Sequence, residues 1–159
     1  MNKTANALKW ISTILKNHNI PFQVTGGLAA HVYGATRPIN DIDIDIPEDR
    51  FHEIIEDVRP YVTEEPTRIV SSVWDVYVMT LNYHDQEIDI GGAYTTRIKD
   101  EKTGIWHDAK ANLATADIKN IFEIEVPVVN KHDLIEYKSW LAMPNDHQEQ
   151  DIKEIQQNP

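Results

Sequence analysis

Residues 40 to 46 read Asn-Asp-Ile-Asp-Ile-Asp-Ile, an acid at every second position with isoleucine between. A period of two puts Asp41, Asp43 and Asp45 on one face of a strand and Ile42, Ile44 and Ile46 on the other. Successive carboxylates on such a face stand about 6 to 7 Å apart and repel by about 0.6 kcal/mol in bulk water, several-fold more in a sheltered cleft. On a solvated face the row costs little; lining a cleft, it needs cations. Hard divalent ions such as Mg²⁺ take oxygen ligands, commonly a few carboxylates with substrate phosphates. A second alternation, Glu-Ile-Asp-Ile-Gly-Gly at 87 to 92, places Glu87 and Asp89 on a shared face, so a neighbouring strand can bring a third carboxylate to the same metals. Gly26-Gly27, ahead of a helix-like run, exposes backbone N–H groups that suit a phosphate. Two metals, an anchored polyphosphate and a carboxylate near the nucleophile are the parts needed for in-line attack at phosphorus.

These residues need elements to hold them. Leu8, Ile11, Ile14 and Leu15 recur at helical spacing and predict a helix over about 4 to 17, with Thr4 as N-cap and Pro21 as stop. Pro-Phe-Gln-Val-Thr then reads as a short strand, and the glycine pair leads into a short helix ended by Gly34. After Pro47, Phe51, Ile54, Ile55 and Val58 predict an amphipathic helix with acids in its first turn. The sheet resumes over about 68 to 82, rich in β-branched and aromatic residues, and turns at His-Asp-Gln into the second acidic strand. Residues 94 to 117 read as loops with one short strand. Ile-Phe-Glu-Ile-Glu-Val-Pro-Val-Val reads as a further strand, with Pro127 at an edge or end. A helix over Lys131 to Met143 and a last short helix around Asp-Ile-Lys-Glu-Ile complete the chain. The expectation is one domain over 1–159 of α/β (α+β) class, a mixed β-sheet flanked by helices.

Composition narrows the functions. The chain has no cysteine, which removes disulfides, thiolate zinc sites and cysteine nucleophiles. Its 26 acids against 15 Lys and Arg leave a formal net charge of -11, which argues against capture of long nucleic acid and suits a cationic or neutral small acceptor. With no signal-like N-terminus and no long apolar run, a cytoplasmic location and no membrane partner are expected. The seven histidines show no HxH or HxxxH spacing, and only His147 with Asp151 could meet on one helix turn. Ser71-Ser72 has no His-Asp partners in its surroundings. Of the four tryptophans, Trp106 in the polar region is the candidate stacking face for a base or an acceptor ring.

A glycine pair alone is usually a turn, and an Asp-x-Asp strand alone is usually a solvated face. Their order is more specific: Gly26-Gly27, Arg37, Asp41-Ile-Asp43, then Asp89 in a later strand resembles the signature of the DNA polymerase β-like nucleotidyltransferase superfamily, in its minimal or antibiotic-modifying branch. The ending, a helix carrying Lys138 before a short helix opening with Asp-Ile, is similar to that family's, and the repeated acids with the small size resemble the lincosamide nucleotidyltransferases. The resemblance implies two Mg²⁺ ions, an NTP donor (ATP binding) and transfer of NMP to an acceptor hydroxyl or phosphate with release of pyrophosphate. Carried over, Gly26 and Gly27 cradle the triphosphate, Asp41 and Asp43 hold the metals, and Asp89 is the third metal carboxylate and general base. Arg37 contacts phosphate or braces its loop, and Lys138 contacts phosphate or base. The pair Asp43 and Asp45 is an alternative register, which the four-residue spacing from Arg37 to Asp41 disfavours.

The sequence also departs from the pattern. Leu28 follows the glycine pair where many members have Ser, Ile39 stands where Thr is expected, and Met-Pro-Asn-Asp replaces a basic residue before the last helix. A rival reading is a non-catalytic regulatory module of a toxin-antitoxin pair, bound to a helical partner. For the enzyme, a homodimer or a partner chain is expected to complete the acceptor pocket.

Overall fold

The computed structural model describes residues 2–159. Helix α1 (Lys3–Asn17) buries Leu8, Ile11 and Leu15, as its spacing predicts. Its N-cap is Asn2, whose side chain accepts from the Ala5 N–H at 2.8 Å; Thr4 instead donates its hydroxyl to the Gln86 side chain. A short strand β1 (Gln23–Thr25) runs directly into α2 (Gly26–Val32), and β2 (Asp41–Ile46) follows after a loop.

The expected helix after Pro47 is replaced by a 3₁₀ run over Glu48–Glu53 and a single α-turn, α3 (Ile55–Val58). Its apolar residues still enter the core: Phe51 and Ile54, three apart, lie side by side on a 3₁₀ turn and are buried with Val58. The Glu48 carboxylate meanwhile accepts from the backbone N–H groups of Tyr94 and Thr95, tying this segment to the end of the second acidic strand.

The sheet expected to resume over about 68 to 82 does so as a hairpin of β3 (Val62–Val70) and β4 (Trp74–Tyr83). Ser71 closes it, its N–H donating to the Trp74 carbonyl and its Oγ accepting from the Trp74 N–H. His84 and Asp85, both at positive φ, turn the chain into β5 (Gln86–Gly92). The polar region holds two strands, β6 (Arg97–Asp100) and β7 (Ile105–Asp108). The next expected strand is likewise the second arm of a hairpin, β8 (Asp117–Ile121) with β9 (Ile124–Val128), turned at Phe122-Glu123 with both φ values positive. Neither residue is a usual choice for that conformation, so the turn carries no local signal. Helices α4 (Lys131–Leu141) and α5 (His147–Gln156) end the chain, α5 capped by the Asp146 side chain.

Among the described residues, nine strands form one mixed sheet in the order β7-β6-β4-β5-β2-β1-β9-β8, with β3 pairing outside this path along β4. Strand β9 therefore lies between β1 and β8, and Pro127 sits near its end, not on an edge strand. Strand β2 is antiparallel to β1 and parallel to β5. The isoleucine faces of β2 and β5 pack with α1 in the core, which leaves their acidic faces turned the other way. No helix among the described residues is long and apolar enough to cross a membrane.

Candidate active site

The acidic face of β2 opens into a cleft of about 910 Å³ lined by Thr25, Gly26, Gly27, Arg37, Asp41, Asp43, Asp45, Asp89 and Lys138, among others. Of the residues expected from the sequence, Gly26, Gly27, Arg37, Asp41, Asp43, Asp89 and Lys138 all border this cleft. The parallel register sets Asp41 opposite Glu87 and Asp43 opposite Asp89, and carboxylate oxygens of Asp41, Glu87 and Asp89 lie within 4.8 Å of one another. Glu87 shares the face of Asp89 by strand period, but its place in the cluster depends on the register with β2.

The electrostatics are those of crowded acids. Burial, then the charges of Asp41, Asp89 and Asp45, push the Asp43 carboxyl well above the ordinary carboxylate range. Asp89 is also raised, first by burial and then by Asp41, with the Thr80 hydroxyl at 2.8 Å opposing. Burial pushes Asp45 up to about 6, against a hydrogen bond from the Gln23 side chain at 3.0 Å. An all-oxygen cluster whose members hinder one another's ionisation matches the donor chemistry of a hard divalent cation, so these residues fit the Mg²⁺ expectation.

The glycine turn abuts the acids. Gly26 has φ +65, and a Cβ there would stand 2.1 Å from Asp43 Oδ2, so both backbone conformation and space demand glycine. At Gly27 a Cβ would meet nothing within 4 Å: the space beside it is open. The Gly26 N–H donates to the Tyr137 hydroxyl at 2.8 Å, and the Thr25 hydroxyl donates to the same oxygen at 3.0 Å. One of the two expected phosphate-binding amides thus has a partner from α4, a residue with no sequence signal. Leu28, in place of the usual serine, is fully buried in the core; the hydroxyl at this turn comes from Thr25, on the other side of the glycine pair.

Arg37 and Lys138 meet on one carboxylate. Asp151 of α5 accepts from Arg37 Nε and Nη2 at 2.9 and 2.7 Å and from Lys138 Nζ at 3.0 Å. Burial opposes the charge of Asp151, but hydrogen bonds from Arg37 and then Lys138 outweigh it and hold the carboxyl below its usual range. Burial lowers the Lys138 ammonium, with Asp151 opposing. Asp151 does not pair with His147 in the way the helix spacing allowed.

The far wall is different in kind. Ile69, Trp74, Val76, Val78 and Ile98, on the strands beyond the acids, give apolar and aromatic lining, and α4 adds Trp140, Asp133 and Glu136. Of the tryptophans, Trp74 and Trp140 border the cleft, and one face of Trp140 is already stacked on His107 with ring centres 4.4 Å apart. Trp106 lies on β7 with the Arg97 guanidinium 5.5 Å from its ring centre and does not border the cleft.

A mixed sheet that presents paired carboxylates beside a glycine turn is the architecture of the nucleotidyltransferase fold, and solved structures agree. A protein from Thermotoga maritima assigned as a nucleotidyltransferase aligns with a TM-score of 0.70 at 23% identity, over 87% of this chain and 83% of that one. The lincomycin-bound lincosamide antibiotic adenylyltransferase LnuA aligns at 0.65 and 16% identity, over 96% of both chains. ANT(2'')-Ia in complex with adenylyl-2''-tobramycin aligns at 0.63 and 19% identity, over 97% of this chain and 88% of that one. A search of curated proteins returned no match. The model of the aminoglycoside-2''-adenylyltransferase family matches residues 7–155, and the chain belongs to that family.

Proposed function

We propose that the protein is a Mg²⁺-dependent nucleotidyltransferase that moves the nucleoside monophosphate of an NTP, ATP by family, onto a hydroxyl of a small-molecule acceptor. The observation that carries this reading is the convergence of Asp41, Asp43 and Asp89 with Gly27, Arg37 and Lys138 around one cleft. Asp41, Asp43 and Asp89 would hold the metal; Glu87 lies close enough to Asp41 and Asp89 to join those two, a cluster that Asp43 flanks. Mg²⁺ bound there supplies charge neutralisation at the phosphates and lowers the barrier to displacement at phosphorus. The open Gly27 turn, Arg37 and Lys138 bind the triphosphate. Asp89, at the junction of the acids and the acceptor wall, takes the proton from the acceptor hydroxyl. The acceptor oxygen then bonds to the α-phosphorus, the bond to the β-phosphate oxygen breaks, and pyrophosphate leaves.

The acceptor wall combines aromatic and aliphatic surface with acids, which suits a polyhydroxylated, cationic small molecule with an apolar face. The adenylylated tobramycin of ANT(2'')-Ia and the lincomycin of LnuA mark aminoglycosides and lincosamides as the first acceptors to test. A complete carboxylate set, which a pure binding module has no need of, favours catalysis over the regulatory alternative. Incubation with Mg²⁺, each NTP and both acceptor classes should give a nucleotidylated acceptor by mass and stoichiometric pyrophosphate. Absence of both products with every donor and acceptor, in protein shown to be folded, would overturn the proposal.

A further inference from the structure

Asp151 is fully buried, on a helix remote in sequence from the acids, yet it is the single acceptor shared by Arg37 and Lys138. Lys138 is itself only 2% exposed. Its ammonium is also held by the Gln148 side chain at 2.7 Å, from the same helix. The loop carrying Arg37 is strapped to α5 a second time, where the Thr36 hydroxyl donates to Glu154 at 2.6 Å. Asp41 and Asp146 also act on Arg37, and Asp43 on Lys138, so the two cations stand among acids and Asp151 is the one that both of them bond.

The two cations are placed selectively. Among the described residues bordering the cleft, the Lys and Arg are Arg37, Lys138 and Lys110. Lys110 is engaged elsewhere, its ammonium 5.6 Å from the centre of the Tyr94 ring. A polyanion entering beside the carboxylates therefore meets the Arg37–Lys138 pair. A flexible lysine and an arginine left to themselves would sample many rotamers and lean toward the acids; a bidentate, buried acceptor removes that freedom.

We infer that Asp151 is a positioning residue for the donor nucleotide: by clamping Arg37 and Lys138 together at the glycine end of the cleft, it sets the cationic grip on the triphosphate without touching it. The inference rests on the nucleotidyltransferase reading for its ligand, but its deciding measurement, ATP binding, does not require turnover. The carboxylate acts through two partners, so its removal weakens nucleotide binding and leaves acceptor binding alone.

The experiment is calorimetric titration of the full chain with ATP and Mg²⁺, alongside steady-state KM values for ATP and for an accepted acceptor. Asp151→Asn should raise the ATP dissociation constant about tenfold or more while the acceptor KM changes little. Asp151→Glu, which keeps the charge but moves it by a methylene, should fall between and keeps the test alive where the Asn variant does not fold. Ile155→Ala, on the same helix and fully buried, is the stability control: it should lower the melting temperature and leave ATP affinity unchanged. In a Lys138→Met background, Asp151→Asn should add much less than it does alone, the signature of an effect passing through Lys138.

Equal ATP affinity in Asp151→Asn and the parent, additive losses in the double variant, or a matching loss in Ile155→Ala would each overturn the inference, as would failure of the parent to bind ATP. ATP binding that weakens as described in a protein with no turnover would sink the enzymatic reading and leave this one standing. Turnover in the parent with unaltered ATP affinity in the variants would do the reverse.

Discussion

Asp43 of β2 stands directly opposite Asp89 of β5 in parallel register, so two acids 46 positions apart in the numbering share one face of adjacent strands. Such a pair costs free energy in a sheltered site unless a cation lies with it. The fold supports that cost with the isoleucines on the reverse side, Ile42, Ile44, Ile88 and Ile90, all buried in the core.

Replacing Asp43 by Asn should abolish nucleotidyl transfer and leave the fold intact. The change removes a metal ligand but also relieves repulsion in the metal-free protein, so the melting temperature should hold or rise. Circular dichroism melts and a pyrophosphate assay on the same preparation measure both effects; retained activity would remove Asp43 from the mechanism.

Magnesium should stabilise the protein. A cation that binds only the folded state adds about 2.7 kcal/mol at a hundred times its dissociation constant. The rise in melting temperature on adding Mg²⁺ should shrink sharply in Asp41→Asn and Asp89→Asn. An unchanged Mg²⁺ response in both variants would locate the cation elsewhere.

The two glycines should separate. Gly26→Ala forces a side chain onto φ +65 and into Asp43, so it should destabilise the fold by a few kcal/mol and lose activity with it. Gly27→Ala adds a methyl to open space, so the fold should persist while KM for the nucleotide rises. Thermal melts and kinetics on both variants test this; a destabilised Gly27→Ala with normal KM contradicts the assignment of that space to the triphosphate.

Tyr137→Phe removes the oxygen that accepts from the Gly26 N–H and the Thr25 hydroxyl. A donor left without its partner in this half-buried setting should cost about 1 to 3 kcal/mol. Urea unfolding gives the stability difference, and a variant as stable as the parent would show that water or substrate groups replace the phenol without loss.

Asp45 gives a pH test. Its carboxyl titrates near about 6 in the folded protein against an ordinary value of 3.8. The folded state therefore holds this proton more tightly, and the stabilisation is fully present below the unfolded value and lost as pH rises through the folded one. The shift corresponds to about 2 to 3 kcal/mol. Asp45→Asn should be more stable than the parent above about pH 7 without divalent cations, and the gain should vanish near about pH 4. Melts of both proteins across that range measure it; parallel curves would place Asp45 in contact with solvent.

Much of the site was legible because its signals are local. The alternation at 40 to 46 and at 87 to 92 depends on strand period alone, and the isoleucine spacing marks which face must be buried. The helices of residues 3 to 17 and 131 to 141 follow from apolar spacing with a cap or a proline stop. The hairpins at Ser71–Val73 and Phe122-Glu123 were not legible, since neither turn carries glycine or proline. The segment after Pro47 has a helical apolar pattern, yet the pull of Glu48 on the Tyr94 and Thr95 amides goes with a 3₁₀ course.

By itself the sequence determined the acidic rows, the glycine pair at the head of α2 and the absence of thiol chemistry, because residue type and short-range periodicity need no partner. Only the tertiary structure decided that Asp43 faces Asp89, that Glu87 joins Asp41, that Tyr137 caps Gly26 and that Asp151 clamps Arg37 to Lys138. Apart from Lys138 with Asp151, 13 positions apart, those meetings span from 46 to 114 positions, as for Arg37 with Asp151. Over such separations the order of strands and the packing of the core bring the partners together, and no local preference encodes them.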